Sequence, residues 1–584
     1  MRNQSLVSLL LALSACGVSE RGPITAGGGD DAVDAKDALP TPDAELRISP
    51  SRLDAQVFDD QVVIRNFAAT LVLPNGDEVD VSDQVRFALA DARFGRFYGN
   101  ELTVTGDGAG VTEIVATVAG KVARIPLTVS VTGSRNLGVG DEVARQFDES
   151  VPKGGCGPAL SYPENRTLVP ANLGALDVHW NDAANDLYQV RVHGEYVDMT
   201  YYTAGRWMTV DRDWSKFATS RSPITIEIAS MSATNPTQKC LGAARYVDVT
   251  REDALGGVYY WTTDWLARAA GQNGQGIMRY DLAKPAVAPA PLFDDANRPA
   301  TTCVGCHALS RDGKRIALTM DSATGRGAVL DLSTNRELMP LDGDAPRWSQ
   351  AVFNHDGTKL LAVNDGVMRL LTMDGQPIAT LANSPGMVAG NPEISPDGGK
   401  LVNVESSGED DWAFGNASIV VRTFNNEANV FGPPTMVMPF DATENVQSYY
   451  PSWSPDGQWL AITRSPNGSS FSNPDATVWV IKADGTMRFE LPATAGTMDS
   501  YARWLPAQNT VGDEPVYFLS FSSTRPFGAR LPDGGLPQIW ITPFYPNRAL
   551  HGLDATGPAY RAPFQSITSS NHNAQWAAAV VTAQ

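Results

Sequence analysis

Period two governs this chain from Glu45 onward. Over residues 46–133, apolar and polar side chains alternate in short runs: LRISPSRLDAQV, AATLVLPNGDEVDV, VRFALAD, GVTEIVATVAG and ARIPLTVSVTG. Turn pairs such as Asn75-Gly76 and Asp107-Gly108 interrupt them. Alternation puts every second residue on one face of a strand, so short runs bounded by turns predict a β-sandwich. Residues 150–250 repeat the pattern, with LDVHW (176–180) and LYQVRV (187–192) as strands and Trp180 as the expected core residue. His179 and His193 on these strands are expected to be packed or solvated rather than ligands.

From about 255 the chain becomes repetitive. Four segments share a strand, an Asp-Gly turn and a second apolar strand: ALSRDGKRIAL (308–318), VFNHDGTKLLA (352–362), EISPDGGKLVN (393–403) and SWSPDGQWLAI (452–462). ARWLPAQ (502–508) keeps the tryptophan without the turn, and NAQWAAAVV (573–581) supplies a sixth copy. Six strands of a second kind intervene: GIMRYDL, AVLDLS, VMRLLTMD, IVVRTFN, VWVIKAD and IWITPF. Six of each predicts six blades. The first outer strand precedes the first inner strand, so one blade must draw strands from both ends of residues 255–584, which removes the exposed sheet edges. The Asp-Gly turns are hairpin chemistry, so Asp312, Asp356, Asp397 and Asp456 are read as structural. The fold class expected is therefore all-β: two β-sandwich modules followed by a six-bladed β-propeller.

These runs carry family resemblances. The pattern over 46–133 resembles bacterial Ig-like modules, that over 150–250 resembles fibronectin type III-like domains, and the repeats over 255–584 resemble TolB-type propellers. At the other end, Arg2, the apolar stretch Leu6 to Leu13 and the sequence Leu13-Ser14-Ala15-Cys16 resemble a bacterial lipoprotein signal. The resemblance implies cleavage of residues 1–16 and acylation of Cys16, which then becomes a membrane-lipid anchor. Gly17 at the next position favours the outer membrane of the cell envelope. Residues 17–45 are rich in Gly, Ala, Asp and Pro, and the first aromatic is Phe58, so this segment reads as a flexible tether.

Charge narrows the partners. With 45 basic and 65 acidic side chains the net charge is −20, which repels nucleic acid. A monomer is expected. Of the five cysteines, Cys156 and Cys240 are expected to pair within the second module, given an exported compartment.

One motif carries specific chemistry. Cys303-Val304-Gly305-Cys306-His307 matches the attachment signature of c-type haem: two thiols add to the vinyl groups and the adjacent imidazole binds the iron. One haem c is therefore expected on Cys303 and Cys306, with His307 as axial ligand. Counting from the turns sets His307 level with Ala351, Pro392, Pro451, Ala502 and Ala574, around one mouth of the channel. His572 stands two residues before Ala574 in the neighbouring blade and is the candidate second axial ligand. Met387 and Met498 stand just upstream of the mouth, each two blades away, and Met320 follows the motif on the next strand, whereas His355 and His551 fall in a turn and a loop. A Cys303–Cys306 disulfide and a different metal site stand as alternatives for the motif.

Three functions compete on this reading. The first is electron transfer by a membrane-anchored haem c protein with an unknown redox or envelope partner. The second is a haem peroxidase-like enzyme with an open iron position. The third is a non-redox TolB-like propeller binding an envelope protein, peptide or glycan. No nucleophile–base set or phosphate-binding loop is present, so an electron carrier or binding protein is favoured over a turnover enzyme.

Overall fold

The computed structural model describes residues 43–581 apart from 265–274, 294–303, 322–323, 342–344, 409–413, 467, 469–472 and 492–496. Cys16, residues 1–16, most of the 17–45 tether and Cys303 lie outside the described residues. The protein is all-β, and no helix among the described residues is long and apolar enough to cross a membrane.

The alternation seen in the sequence becomes burial. In Gly110–Val118 the even positions face the interior and the odd ones solvent, and Leu53–Phe58 alternates likewise. The first module packs Phe67, Phe87 and Phe97 in its core, with ring centroids 5.4–6.2 Å apart. In the second module, Trp180 is fully buried against Tyr188 at 5.2 Å. Cys156 and Cys240 are disulfide-bonded, with Cα atoms 5.2 Å apart.

The two modules share a sheet. Lys121–Asn136, a strand of 16 residues, pairs antiparallel with Gly110–Val118 and parallel with Leu53–Phe58. Its far end then pairs in parallel with Val197–Thr203 of the second module. An 11-stranded sheet results, running through both modules. A polar knot reinforces the join. The buried Asp213 carboxylate accepts hydrogen bonds from Arg135 (3.0 Å), Lys216 (2.8 Å) and the Tyr201 hydroxyl (3.1 Å).

Six sheets form the propeller. The innermost strands, in chain order, are Val304–Leu309, Gln350–Phe353, Val388–Ile394, Val446–Trp453, Ser500–Val511 and Ser569–Ala577, belonging to blades one to six. Blade six combines Ser569–Ala577 with Gly257–Asp264, Gln275–Asp281 and Ala290–Phe293, so strands some 300 residues apart close the ring. The turn aspartates work locally. Asp312, Asp397 and Asp456 each accept from the serine two residues before and from a backbone N–H two residues after. Asp356 accepts from the backbone N–H and hydroxyl of Thr358.

The second module docks on the propeller through aromatic contacts. Phe527 of blade five meets Tyr162 at 4.9 Å and His179 at 4.5 Å. Arg530 lies over Trp207 at 4.4 Å and 3.7 Å from Asp177. The Tyr162 hydroxyl accepts from the Arg561 backbone N–H at 3.1 Å. His179 is fully buried there, against Phe527. Burial, and then the positive charge of Arg530, push its pKa from the ordinary 6.5 to about 3.

This histidine makes the docked arrangement acid-sensitive. Between pH 6.5 and 3 the unfolded chain holds a proton on His179 that the folded chain does not, so stability falls as pH falls through that window. The melting temperature is expected to drop on going from pH 7 to pH 4.5, and His179→Asn is expected to drop less. Parallel losses in the two proteins would remove His179 from the account.

Candidate functional site

The channel mouth is shaped by bulges. In blade one the pairing slips between Val304 and His307, giving Gly305 and Cys306 one partner position between them. Blades three to six slip at a neighbouring level, at Asn391-Pro392, Tyr450-Pro451, Tyr501-Ala502 and Asn573-Ala574. In each of these four the first residue is left-handed: Asn391 at φ 46°, Tyr450 at 48°, Tyr501 at 55° and Asn573 at 51°. A bulge bends its strand and re-aims a side chain, which is why such features cluster at functional rims. The consequence was not visible by turn counting. Ala351 and Pro392 do line the channel, but in blades four to six the flanking pairs Tyr450/Ser452, Tyr501/Arg503 and Asn573/Gln575 line it in place of Pro451, Ala502 and Ala574.

These re-aimed residues link blade to blade. The Gln350 side-chain carbonyl accepts from the Asn391 backbone (2.6 Å) and side-chain amide (2.9 Å), and the Asn391 side-chain carbonyl accepts from the Tyr450 N–H at 3.1 Å. Tyr450 stacks on Tyr501 at 4.5 Å, Tyr501 on His572 at 5.8 Å, and His572 meets Trp261 at 4.5 Å. Trp261 Nε1 then donates to the Val304 carbonyl at 3.0 Å. Below this circuit, Trp453 Nε1 donates to the Glu393 carbonyl (3.1 Å) and Trp504 Nε1 to the Ser452 carbonyl (3.0 Å). These aromatics therefore fasten one blade to the next.

Inside lies a cavity of about 320 Å3. Cys306 and His307 line it at one mouth, and Arg311, Pro396 and Pro455 come from the turns at the other end. Cys306 is half-buried and His307 is buried. The His307 Nε2 lies 3.1 Å from the Tyr259 carbonyl, while its Nδ1 is buried without a hydrogen-bond partner among the described residues. Burial, with a further contribution from Arg503, pushes its pKa down to about 4, so the ring is neutral near pH 7. His572 is likewise lowered to about 4, first by burial and then by His307, which sets the two imidazoles within electrostatic reach of each other. Tyr501 sits close enough to Cys306 for the thiol to act on its hydroxyl, although burial is the larger cause of its raised pKa.

The other candidates fall elsewhere. Met320 is buried in the core of blade one with Val304, Ile316 and Leu318. His355 and His551 are exposed, and His193 lies 3.5 Å from Glu227 in the second module. Among the described residues no group of three or more His, Cys, Asp or Glu side chains is placed to hold a metal ion. The site also contains polar residues that the sequence reading did not pick out: Gln350, Asn391, Glu393, Arg311 and Arg503. Glu393 accepts from the Trp453 N–H at 3.1 Å and stands 3.9 Å from Arg503. Burial raises its pKa. The turn repeat alone offered no signal for these residues, because their orientation depends on the bulges.

No family model and no curated protein matches the chain. Among solved structures, a putative TolB from Agrobacterium tumefaciens is similar, at 12% identity over 55% of this chain and 99% of that one, with a TM-score of 0.28. A β-propeller domain of Cps50 (Swd1) from Myceliophteria thermophila follows, at 10% identity over 51% and 87% with a TM-score of 0.30. A nidogen/laminin complex is similar at 12% identity over 55% and 98%, with a TM-score of 0.33. The chain is a β-propeller protein by its own strand pairing.

The tryptophan bonds between blades lend themselves to measurement. Trp504→Phe keeps most of the buried ring and leaves the Ser452 carbonyl without its donor. It is expected to cost about 1–3 kcal/mol in urea unfolding, the range for an unpaired buried polar group.

Proposed function

We propose that this chain is an exported haem c protein, anchored through acylated Cys16 and carrying one haem on Cys303 and Cys306 at the channel mouth, with electron transfer as its task. The observation that carries the reading is the state of His307. A metal-binding imidazole commonly donates from one nitrogen to a carbonyl or carboxylate and offers the other to the metal. His307 has its Nε2 on the Tyr259 carbonyl and its Nδ1 buried and unpartnered among the described residues, in the same cavity wall as Cys306. Its low basicity keeps that lone pair available at neutral pH.

The donor set suits a haem better than a bare ion. An ion held by side chains alone needs about four ligands, and the described residues gather no such group. A porphyrin supplies four nitrogens of its own and asks the protein for one or two. His307 would be the first of these and His572, a neutral imidazole in the neighbouring blade, the second. When bound, the haem supplies one-electron chemistry at its iron. The protein's part is to fix the imidazole through Tyr259, exclude water with the Trp261, Tyr450 and Tyr501 rings, and fasten the mouth blade to blade. Two imidazole ligands would fill the iron and favour transfer over turnover.

The experiment is expression with and without a cytochrome c maturation system. Colour that survives denaturation and needs both Cys303 and Cys306 is expected only in the competent host. His307→Ala is expected to lose the native Soret band, and His572→Ala to gain carbon monoxide binding without losing covalent haem. Colourless protein from the competent host, or a Cys303–Cys306 disulfide found by mass spectrometry, ends the redox reading. An unchanged spectrum in His572→Ala removes that residue from the iron.

A further inference from the structure

The channel beyond its mouth has a charge pattern of its own. Its volume of about 320 Å3 falls within the span of small-ligand pockets, roughly 300–1,000 Å3. Two guanidinium groups, Arg311 and Arg503, line it against one carboxylate, Glu393. Burial favours the neutral form of that carboxylate, while both arginines oppose the effect. The lining is therefore cationic inside a chain of net charge −20. A positive, partly desolvated channel is costly to leave without a counter-charge.

Arg503 is posed to receive one. Its hydrogen bonds all leave from Nη1, to the carbonyls of Tyr450 (3.3 Å), Pro451 (3.4 Å) and Ala502 (3.1 Å). Glu393 approaches the same nitrogen, at 3.9 Å. The Nε–Nη2 edge has no partner among the described residues. That edge is one of the faces with which a guanidinium grips a carboxylate through two parallel bonds. Gln350, in blade two, faces blade five from across the channel: its carbonyl is engaged twice by Asn391, which leaves its amide NH2 as a further donor. Trp504, Trp576 and Tyr501 contribute apolar surface around these groups.

We propose that the central channel is a carboxylate-binding site, in which Arg503 holds the anion side-on and the aromatic walls hold the apolar body attached to it. The carboxylate has two sources, a propionate of the haem or a free small organic acid, and the site chemistry is the same for both. The free-acid arm does not rest on haem attachment.

The test uses the full-length, detergent-solubilised chain, haem-loaded and haem-free, with benzoate as the calorimetric probe. Haem-free protein is expected to bind one benzoate, Arg503→Gln to weaken it at least tenfold, and Arg503→Lys to fall between, since lysine keeps the charge and loses the fork. Glu393→Gln is expected to tighten binding by removing the competing carboxylate. Melting curves matching the wild type show that each variant is folded. In the haem-loaded form, exclusion of benzoate together with a midpoint potential moved by Arg503→Gln assigns the site to a propionate. Benzoate binding that persists, depends on Arg503 and leaves the potential unmoved assigns it to a free acid. Absence of Arg503-dependent benzoate binding in both forms, with an unmoved potential, overturns the proposal. Colourless protein from the competent host refutes haem attachment alone and leaves the haem-free arm to stand or fall on its own data.

Discussion

Everything at the channel depends on one pairing, that of Ser569–Ala577 with Gly257–Asp264. Without it blade six has no innermost strand and the ring has two open edges. With it, the side chains that converge on the mouth come from opposite ends of the repeats: His572 and Trp576 from one side, Trp261 and Tyr259 from the other. The contact of His572 with Trp261, and the Tyr259 carbonyl that faces His307, exist only because the ring is shut. Closure also explains the loss of basicity at both imidazoles, since it is burial between blades that removes water from them.

Much of this architecture was written plainly in the chain. Asp-Gly turns between apolar runs gave the blades, because a hairpin turn has local chemistry that a single segment carries whole. Alternation gave the sandwiches for the same reason. The disposition of His307 and His572 in neighbouring blades also follows from counting repeats. What could not be read was register. Nothing local says that Lys121–Asn136 continues past one module to pair with Val197–Thr203, since a parallel partner some 70 residues away leaves no mark in either strand. The bulges at Tyr450, Tyr501 and Asn573 were hidden likewise. Each is a one-residue slip against a neighbouring strand, and it decides whether Arg503 or Ala502 faces the channel.

The interior of the ring therefore contrasts with the chain as a whole. Over the whole chain acidic side chains outnumber basic ones, 65 to 45. Inside, two arginines flank a single glutamate whose ionisation burial opposes. The separation is sustained by backbone carbonyls, which hold Arg503 in place without neutralising it. Carbonyl dipoles fix a guanidinium and still leave its charge to act on His307.

The strand shared by the two sandwiches has a mechanical consequence. Lys121–Asn136 is hydrogen-bonded side by side, in the same direction, to Leu53–Phe58 and Val197–Thr203. Tension drawn along such a strand strains its lateral bonds together, in shear, rather than unzipping them one after another. A pull along this strand is therefore borne by both sandwiches at once, and their mutual orientation is held against it.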